Sequence, residues 1–265
     1  MVSEYSFIEG SSPVLVSIPH SGTFVPENIR KNFTKYGRML PDTDWHISTL
    51  YNFLEELDVS VIKANYSRYV IDLNRSLSLD CLYPGKIETE LCPTTTFMGD
   101  PIYTDSKAPS ETEISERFEQ YWMPYHKKLT MELNRIKSKY GYAILWDAHS
   151  IQSQLPRFFE GTLPDLNLGT NSGNSCSRMI ANKLKEIMKE DDAFESVVDG
   201  RFKGGYITRQ YGNPAINTHA VQMEIAQLCY MNEYPTFSFD EDKAKKLRPK
   251  LKKMFECLKV LNVNT

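Results

Sequence analysis

The amino-acid sequence predicts an α/β fold: a single domain, residues 1–265, built on a largely parallel sheet flanked by helices. Short β-branched apolar runs alternate with amphipathic helical stretches, the pattern of parallel α/β proteins. Two of those runs end in a histidine, at His20 and His149, and ligands of such sheets bind beyond the carboxyl ends of the strands. The composition is ordinary for a globular chain: 265 residues, 41% hydrophobic and 25% charged, with 13 Gly and 14 Pro. No internal repeat, low-complexity tract or linker divides it.

Taken in order, VLVSI (residues 14–18) is a buried strand ended by Pro19, delivering His20, Ser21 and Gly22 into a loop. Gly22 there permits close backbone approach or an unusual dihedral. PDTDWHISTLYNFLEEL follows, with Trp45, Leu50, Phe53, Leu54 and Leu57 at roughly helical spacing and Asp42 or Asp44 near the helix start. VSVIKA (59–64) and RYVIDL (68–73) are two further strands. Residues 82–109 are rich in Pro, Thr and Gly without a period, a long loop of the kind that often carries function. Residues 111–140 form a long helix interrupted by Pro124. YAILWD (142–147) is a strand that ends at Ala148-His149-Ser150, and a polar loop runs on to about Asn174. Residues 176–189 are helical, and GRFKGGYITRQYGNP (200–214) reads as Gly-rich, basic strand and loop. HAVQMEIA (219–226) alternates like a strand, and residues 241–261 form a Lys-rich amphipathic helix.

Composition excludes several function classes. The net charge of −3, from 31 Lys and Arg against 34 Asp and Glu, favours neither nucleic acid nor an anionic membrane as partner. The five cysteines, Cys81, Cys92, Cys176, Cys229 and Cys257, are odd in number and form no CxxC. They read as free thiols of a reducing cytosol rather than a disulfide framework or zinc ribbon. MVSEYSFIEG lacks the basic start and apolar run of a signal peptide, and no stretch approaches the roughly 18–20 apolar residues of a membrane span. A cytoplasmic protein is expected. GxGxxG, Walker A and GxSxG motifs are absent, so neither nucleotide binding nor serine catalysis at Ser21 or Ser150 is indicated.

Among the histidines, His126 lies beside Trp122, Pro124 and Tyr125 and reads as a packing residue, and His46 leans to a structural place beside Asp44. His20 and His149, at matching strand ends with carboxylates nearby, read as metal ligands. A hydrolytic zinc site needs three N or O protein ligands and one open position. The third ligand is one of Asp42, Asp44, Glu27 and Asp147. Asp42 and Asp44 are also N-cap candidates, Asp42 the better one, and Asp147 could instead orient an imidazole. That leaves Asp44 facing the site. Such an ion polarises a carbonyl and lowers the pKa of its bound water toward about 7. Glu224 interrupts an apolar strand and is the candidate general base, its alternative being a solvent-facing strand position. Arg75 and Arg209 are placed to grip carboxylates bidentately, which suits a dicarboxylate, or to pair with Asp72 or Asp199. Arg201 and Lys203 read as a solvated edge, and Tyr206 offers a hydroxyl donor or packing.

The blocks SIPHSGT, LPDTDWHISTLY, RYVIDLNRS, CPTTTF, WDAHSI, LPDLNLGT, GRFKGGYITRQYG and HAVQMEI resemble the motifs of the N-formylglutamate amidohydrolases, in the expected order from about residue 13 to 235. The resemblance implies a zinc-exopeptidase-like fold with a mixed sheet, similar to metallocarboxypeptidases and aspartoacylase. It implies one divalent metal ion, zinc, and a small-molecule substrate, N-formyl-L-glutamate, hydrolysed to L-glutamate and formate in histidine degradation. By the same resemblance His20 and His149 are metal ligands, with Asp44 in the acidic ligand position. Asn74-Arg75 is the pair that grips a substrate carboxylate, and Glu224 is the catalytic glutamate; Tyr206 and Arg209 complete the expected substrate set. The carboxypeptidase HxxE spacing is absent, since Thr23 stands three residues after His20, so the carboxylate ligand comes from elsewhere in the chain. A deacylase or carboxypeptidase of other specificity and a non-catalytic dicarboxylate-binding protein are the alternative readings. Nothing in the sequence identifies an oligomeric partner.

Overall fold

The computed structural model describes residues 2–77 and 88–261. Cys81 and residues 82–87 of the expected long loop lie outside the described residues. The strands are β1 (Tyr5–Ile8), β2 (Val14–Ile18), β3 (Ser60–Ala64), β4 (Ala143–Ile151), β5 (Leu166–Gly169), β6 (Ser196–Val198) and β7 (Thr218–Ala226). They form one sheet in the order β1-β3-β2-β4-β7-β5-β6. β2, β3, β4 and β7 run parallel, as do β5 and β6, whereas β1 against β3 and β5 against β7 are antiparallel. The sheet is therefore mixed and largely parallel, as expected.

The helices are α1 (Glu27–Arg30), α2 (Lys35–Met39), α3 (Ile47–Leu50), α4 (Glu111–Arg117), α5 (Met123–Tyr140), α6 (Arg178–Met188), α7 (Tyr206–Tyr211) and α8 (Glu241–Val260). They cover both faces of the sheet, which is why β2 and β4 are buried along their whole length. Alternate residues of β4 enter opposite cores. Ile144, Trp146 and Ala148 pack with α6 and α8, and Ala143 and Leu145 pack with Leu129, Leu133 and Ile136 of α5. In α8 the buried positions Ala244, Leu247, Leu251, Met254, Phe255 and Leu258 recur at helical spacing. The long helix expected over residues 111–140 is α4, a π turn at Phe118–Trp122, and α5, with Pro124 in the first turn of α5. Proline lacks the N–H for the preceding turn, and the wider π turn falls where that bond is missing. No helix among the described residues is long and apolar enough to cross a membrane. Cys92, Cys176, Cys229 and Cys257 are free thiols.

Several expectations are corrected. Residues 68–73 are not a strand but a turn-rich segment, because Arg68 and Asp72 turn their charges inward onto each other. The helix expected from Asp42 onward is reduced to α3 and a 3-10 turn at Asn52–Leu54, and neither aspartate caps it; His46, at φ 59°, is the residue before α3. His149 lies within β4 rather than beyond it, and part of the Gly-rich segment folds as α7. β1, β5 and β6, of three or four residues each, were not expected; β5 lies inside the stretch read as loop.

Gly22 is a close-approach position: a Cβ there would overlap the carbonyl oxygen of Tyr66. Gly22→Ala should destabilise the fold by roughly 1–3 kcal/mol through that backbone clash. Urea unfolding measures this, and an unchanged midpoint would show that the loop after His20 can relax freely.

Candidate active site

Three neighbouring strands set the site. β2 and β4 pair in parallel with Ser17 beside Asp147, and β4 and β7 pair with His149 beside Glu224. The two-residue repeat then puts Asp147, His149, Gln222 and Glu224 on one face at one end of the sheet. His20 arrives from the loop after β2, and its carbonyl accepts the Asp44 N–H at 3.0 Å, which draws the 41–45 segment over the strand ends.

The His20, Asp44 and His149 side chains are buried, and their ligand atoms lie within 4.8 Å of one another. Nδ1 of His149 stands 3.2 Å and Nδ1 of His20 3.9 Å from Asp44 Oδ2. The opposite ring nitrogens face carboxylates: His20 Nε2–H donates to Asp72 Oδ1 at 2.7 Å, and His149 Nε2 is ion-paired with Asp147 Oδ2 at 2.9 Å and lies 3.0 Å from Asn74 Nδ2. Each imidazole is thus fixed with Nδ1 turned to the common point, the arrangement that orients metal-ligating histidines. Two imidazole nitrogens and one carboxylate oxygen, with a pocket beside them, fit a divalent ion with an open position. This group could hold a metal ion.

The other carboxylates weighed as ligands are placed elsewhere. Asp42 accepts the Tyr69 hydroxyl at 2.6 Å and the Phe97 N–H at 2.9 Å, and burial pushes its carboxyl up to about 6. Glu27 is exposed in the first turn of α1, and Asp147 orients His149.

Charge and burial act together at some groups of the site and against each other at others. Burial alone would raise the Asp72 pKa, but the guanidinium of Arg68, 2.6 Å from Oδ2, and His20 hold it well below the usual carboxylate range. Burial and Arg68 depress His20. Burial also works to depress His149, yet Asp147 and Asp44 hold it well above the ordinary imidazole value. Glu224, 6% exposed, is no solvent-facing strand residue. Burial, reinforced by Asp44, raises its carboxyl to about 8 against the opposing pull of His149 and Arg68. Gln222 fixes that carboxyl: its Nε2–H donates to Glu224 Oε2 at 3.1 Å while its Oε1 accepts the Gly205 N–H at 2.7 Å.

A pocket of about 610 Å³ opens beside these groups. The structure brings His20, Asp44, Asn74, Arg75, His149 and Glu224 to its walls and leaves Tyr206 and Arg209 out of them. Tyr206 instead packs near Trp122 and His126, and Arg209 Nε–H donates to the Gly204 carbonyl. Asn74 is itself heavily engaged: Oδ1 accepts the Ile207 N–H at 2.7 Å and Nδ2–H faces Asp147 Oδ2 at 3.4 Å. Sequence reasoning missed Arg68, Gln222 and Arg201, which also line the pocket. The signal for Arg68 was a charged pair, Arg68 and Asp72, four residues apart in an apolar run. His126 and His46 are structural, as read: His126 stacks on Trp122, and His46 Nε2–H donates to the Phe237 carbonyl.

A largely parallel α/β sheet with a buried His–Asp–His group and a further buried carboxyl at one pocket is an arrangement suited to hydrolysis, and the relatives of this chain are hydrolases acting on amide bonds. The family profile described as N-formylglutamate amidohydrolase matches residues 12–231, and the chain belongs to that family. It is 46% identical over 96% of its length to a protein named N-formylglutamate deformylase from Pseudomonas putida, 94% of which is covered. It is 45% identical, over 96% of its length and 95% of the relative, to one of the same name from Pseudomonas aeruginosa. Its fold resembles the crystal structure of N-formylglutamate amidohydrolase from Ralstonia eutropha JMP134, with a TM-score of 0.79, 22% identity and 96% of each chain covered. A gene product of Agrobacterium tumefaciens shares the fold at TM-score 0.73 and 14% identity, over 97% of this chain and 95% of that one.

If Asp147 orients His149 for a metal, Asp147→Asn should weaken divalent-ion binding by roughly 10–100-fold. Competition with a chromophoric chelator measures it; unaltered affinity would remove Asp147 from that role.

Proposed function

We propose that the protein hydrolyses N-formyl-L-glutamate to L-glutamate and formate, as a step of histidine degradation. The observation that carries this reading is the 46% identity, across nearly the whole chain, to a protein named for that deformylation. The pocket chemistry supports it. Of the three guanidinium groups on its walls Arg68 is taken up by Asp72, and Arg75 and Arg201 suit a substrate with two carboxylates. The cytoplasm is the proposed setting, supported by the four free thiols among the described residues.

Zinc on His20 Nδ1, Asp44 and His149 Nδ1 is the proposed cofactor, because a two-imidazole, one-carboxylate set is a catalytic zinc donor set. The chemistry such an ion supplies when bound is polarisation of the formyl carbonyl and acidification of water. Asp72 and Asp147 hold the imidazole rings in orientation. Glu224 takes the proton of the attacking water and delivers it to the amide nitrogen as the C–N bond breaks, releasing formate and the free amine. Its raised pKa suits it to hold and then give up that proton near neutral pH, and a divalent ion held by His20, Asp44 and His149 would favour the ionised form that starts the reaction. Gln222 occupies Oε2, which leaves Oε1 for the water. Arg75 beside Asn74 holds the α-carboxylate. Arg201, Nε–H bonded to the Phe158 carbonyl, takes the γ-carboxylate in place of Arg209, which stands off the pocket.

Formate release from N-formyl-L-glutamate should be abolished by chelation and restored by zinc. Release that survives proven metal removal would sink the metal role, and no release from metal-loaded enzyme would sink the substrate assignment. Glu224→Gln should lower kcat by roughly 10²–10⁴-fold with zinc still bound. Arg201→Ala should raise KM by roughly 10–100-fold, the worth of a charge-assisted hydrogen bond; Arg209→Ala outdoing it would return the γ-carboxylate to Arg209.

A further inference from the structure

The segment from Asp72 to Arg75 has no strand or helix to hold it, yet three of its side chains reach the site. Asp72 bonds His20, Asn74 stands against Asp147 and His149, and Arg75 lines the pocket. Its backbone carbonyls are nonetheless all claimed. Leu73 O accepts His126 Nε2–H at 2.8 Å, Asn74 O accepts the guanidinium of Arg75 at 3.0 Å, and Arg75 O accepts Trp122 Nε1–H at 2.9 Å. The two outer donors come from one place, the junction of the π turn and α5.

That junction is rigid. Trp122 and His126, one helical turn apart, stack with centroids 3.6 Å apart and planes 20° from parallel, and Phe118 stacks on the other side of Trp122 at 4.5 Å. The Leu73 carbonyl can only accept, so the ring proton of His126 sits on Nε2, and Nδ1 faces the Tyr211 hydroxyl at 2.9 Å, which also lies 3.2 Å from the His126 carbonyl. Burial pushes the His126 pKa down to about 3, so the ring stays a neutral donor across the working pH range. Both rings are buried and neither lines the pocket.

We propose that Trp122 and His126 are positioning residues, two ring N–H groups on one rigid helical turn that set Asn74-Arg75 for the substrate carboxylate. The proposal rests on the carboxylate role of Arg75 given above. Arg75 depends on this backbone twice: its carbonyl is held by Trp122, and its guanidinium is braced on Asn74 O and on Thr89 O at 3.1 Å. A shift of the turn therefore moves the guanidinium with it.

The test is a double-mutant cycle on zinc-loaded enzyme, with formate release and L-glutamate affinity as readouts. Trp122→Phe keeps the stacked ring and removes the N–H. It should raise KM for N-formyl-L-glutamate, and Kd for L-glutamate, roughly 5–10-fold with kcat changed less than about twofold. In the Arg75→Ala background the same substitution should add almost nothing, since its effect passes through Arg75. An unaltered KM in Trp122→Phe, a loss confined to kcat, or full additivity with Arg75→Ala would each overturn the proposal. An Arg75→Ala enzyme with normal kcat/KM would instead overturn the carboxylate role on which it rests. Should Trp122→Phe fail to fold, Tyr211→Phe, which removes the hydroxyl that braces His126 Nδ1, is read by the same criteria with an expected two- to threefold rise.

Discussion

The cost of burying charge governs this structure. Asp44, Asp72, Asp147 and Glu224 all sit in the interior at one end of the sheet. An isolated carboxylate there would cost many kcal/mol, so each needs a counter-charge or hydrogen-bond donors. Arg68 is the central counter-charge, 2.6 Å from Asp72 and 3.9 Å from Asp44, and stacked 4.8 Å over Phe97. The imidazoles of His20 and His149 supply the remainder from the protein. Negative groups still outnumber fixed positive ones, which is the electrostatic condition of a cation site.

That condition explains the irregular backbone around the site. A strand through residues 68–73 would send Arg68 and Asp72 to fixed faces, four residues apart along an extended chain. The turn-rich path lets their side chains meet. It also frees Asp72 Oδ1 to serve both His20 and the Asn74 N–H, the latter at 2.8 Å. Backbone bonding sacrificed there is recovered from neighbours, including the ring donors of Trp122 and His126. Loop and site are thus one hydrogen-bonded unit, in which the mixed sheet provides the rigid part.

Much of this architecture was legible in the sequence. β2, β3, β4 and β7 are the apolar runs, α6 and α8 are the amphipathic stretches, and the paired strand-end histidines marked the site end of the sheet. His20, Asp44, His149 and Glu224 meet there, and Asn74 and Arg75 reach the pocket wall. What escaped were short elements and choices between equivalent residues. β1, β5 and β6 owe their existence to partners already in the sheet, and three or four residues carry too little pattern to reveal them. In the Gly-rich segment Arg201 and Arg209 are alike in the sequence. Only the start of α7, where the Gly205 and Ile207 N–H groups bond Gln222 and Asn74, sends one to the pocket wall and the other away from it.

The sequence by itself determined the fold class, the principal parallel strands and the residue types available for chemistry, because hydrophobic period and strand-end position are local properties. Only the tertiary structure brought Asp44 to the two histidines, set Asp72 and Asp147 against their far nitrogens, and put Arg201 rather than Arg209 on the pocket wall. The choice of Asp44 turns on contacts 24 and 105 positions apart, with His20 and with His149. Parallel register and the need to neutralise buried charge fix such contacts, and neither is written in any single segment of the chain.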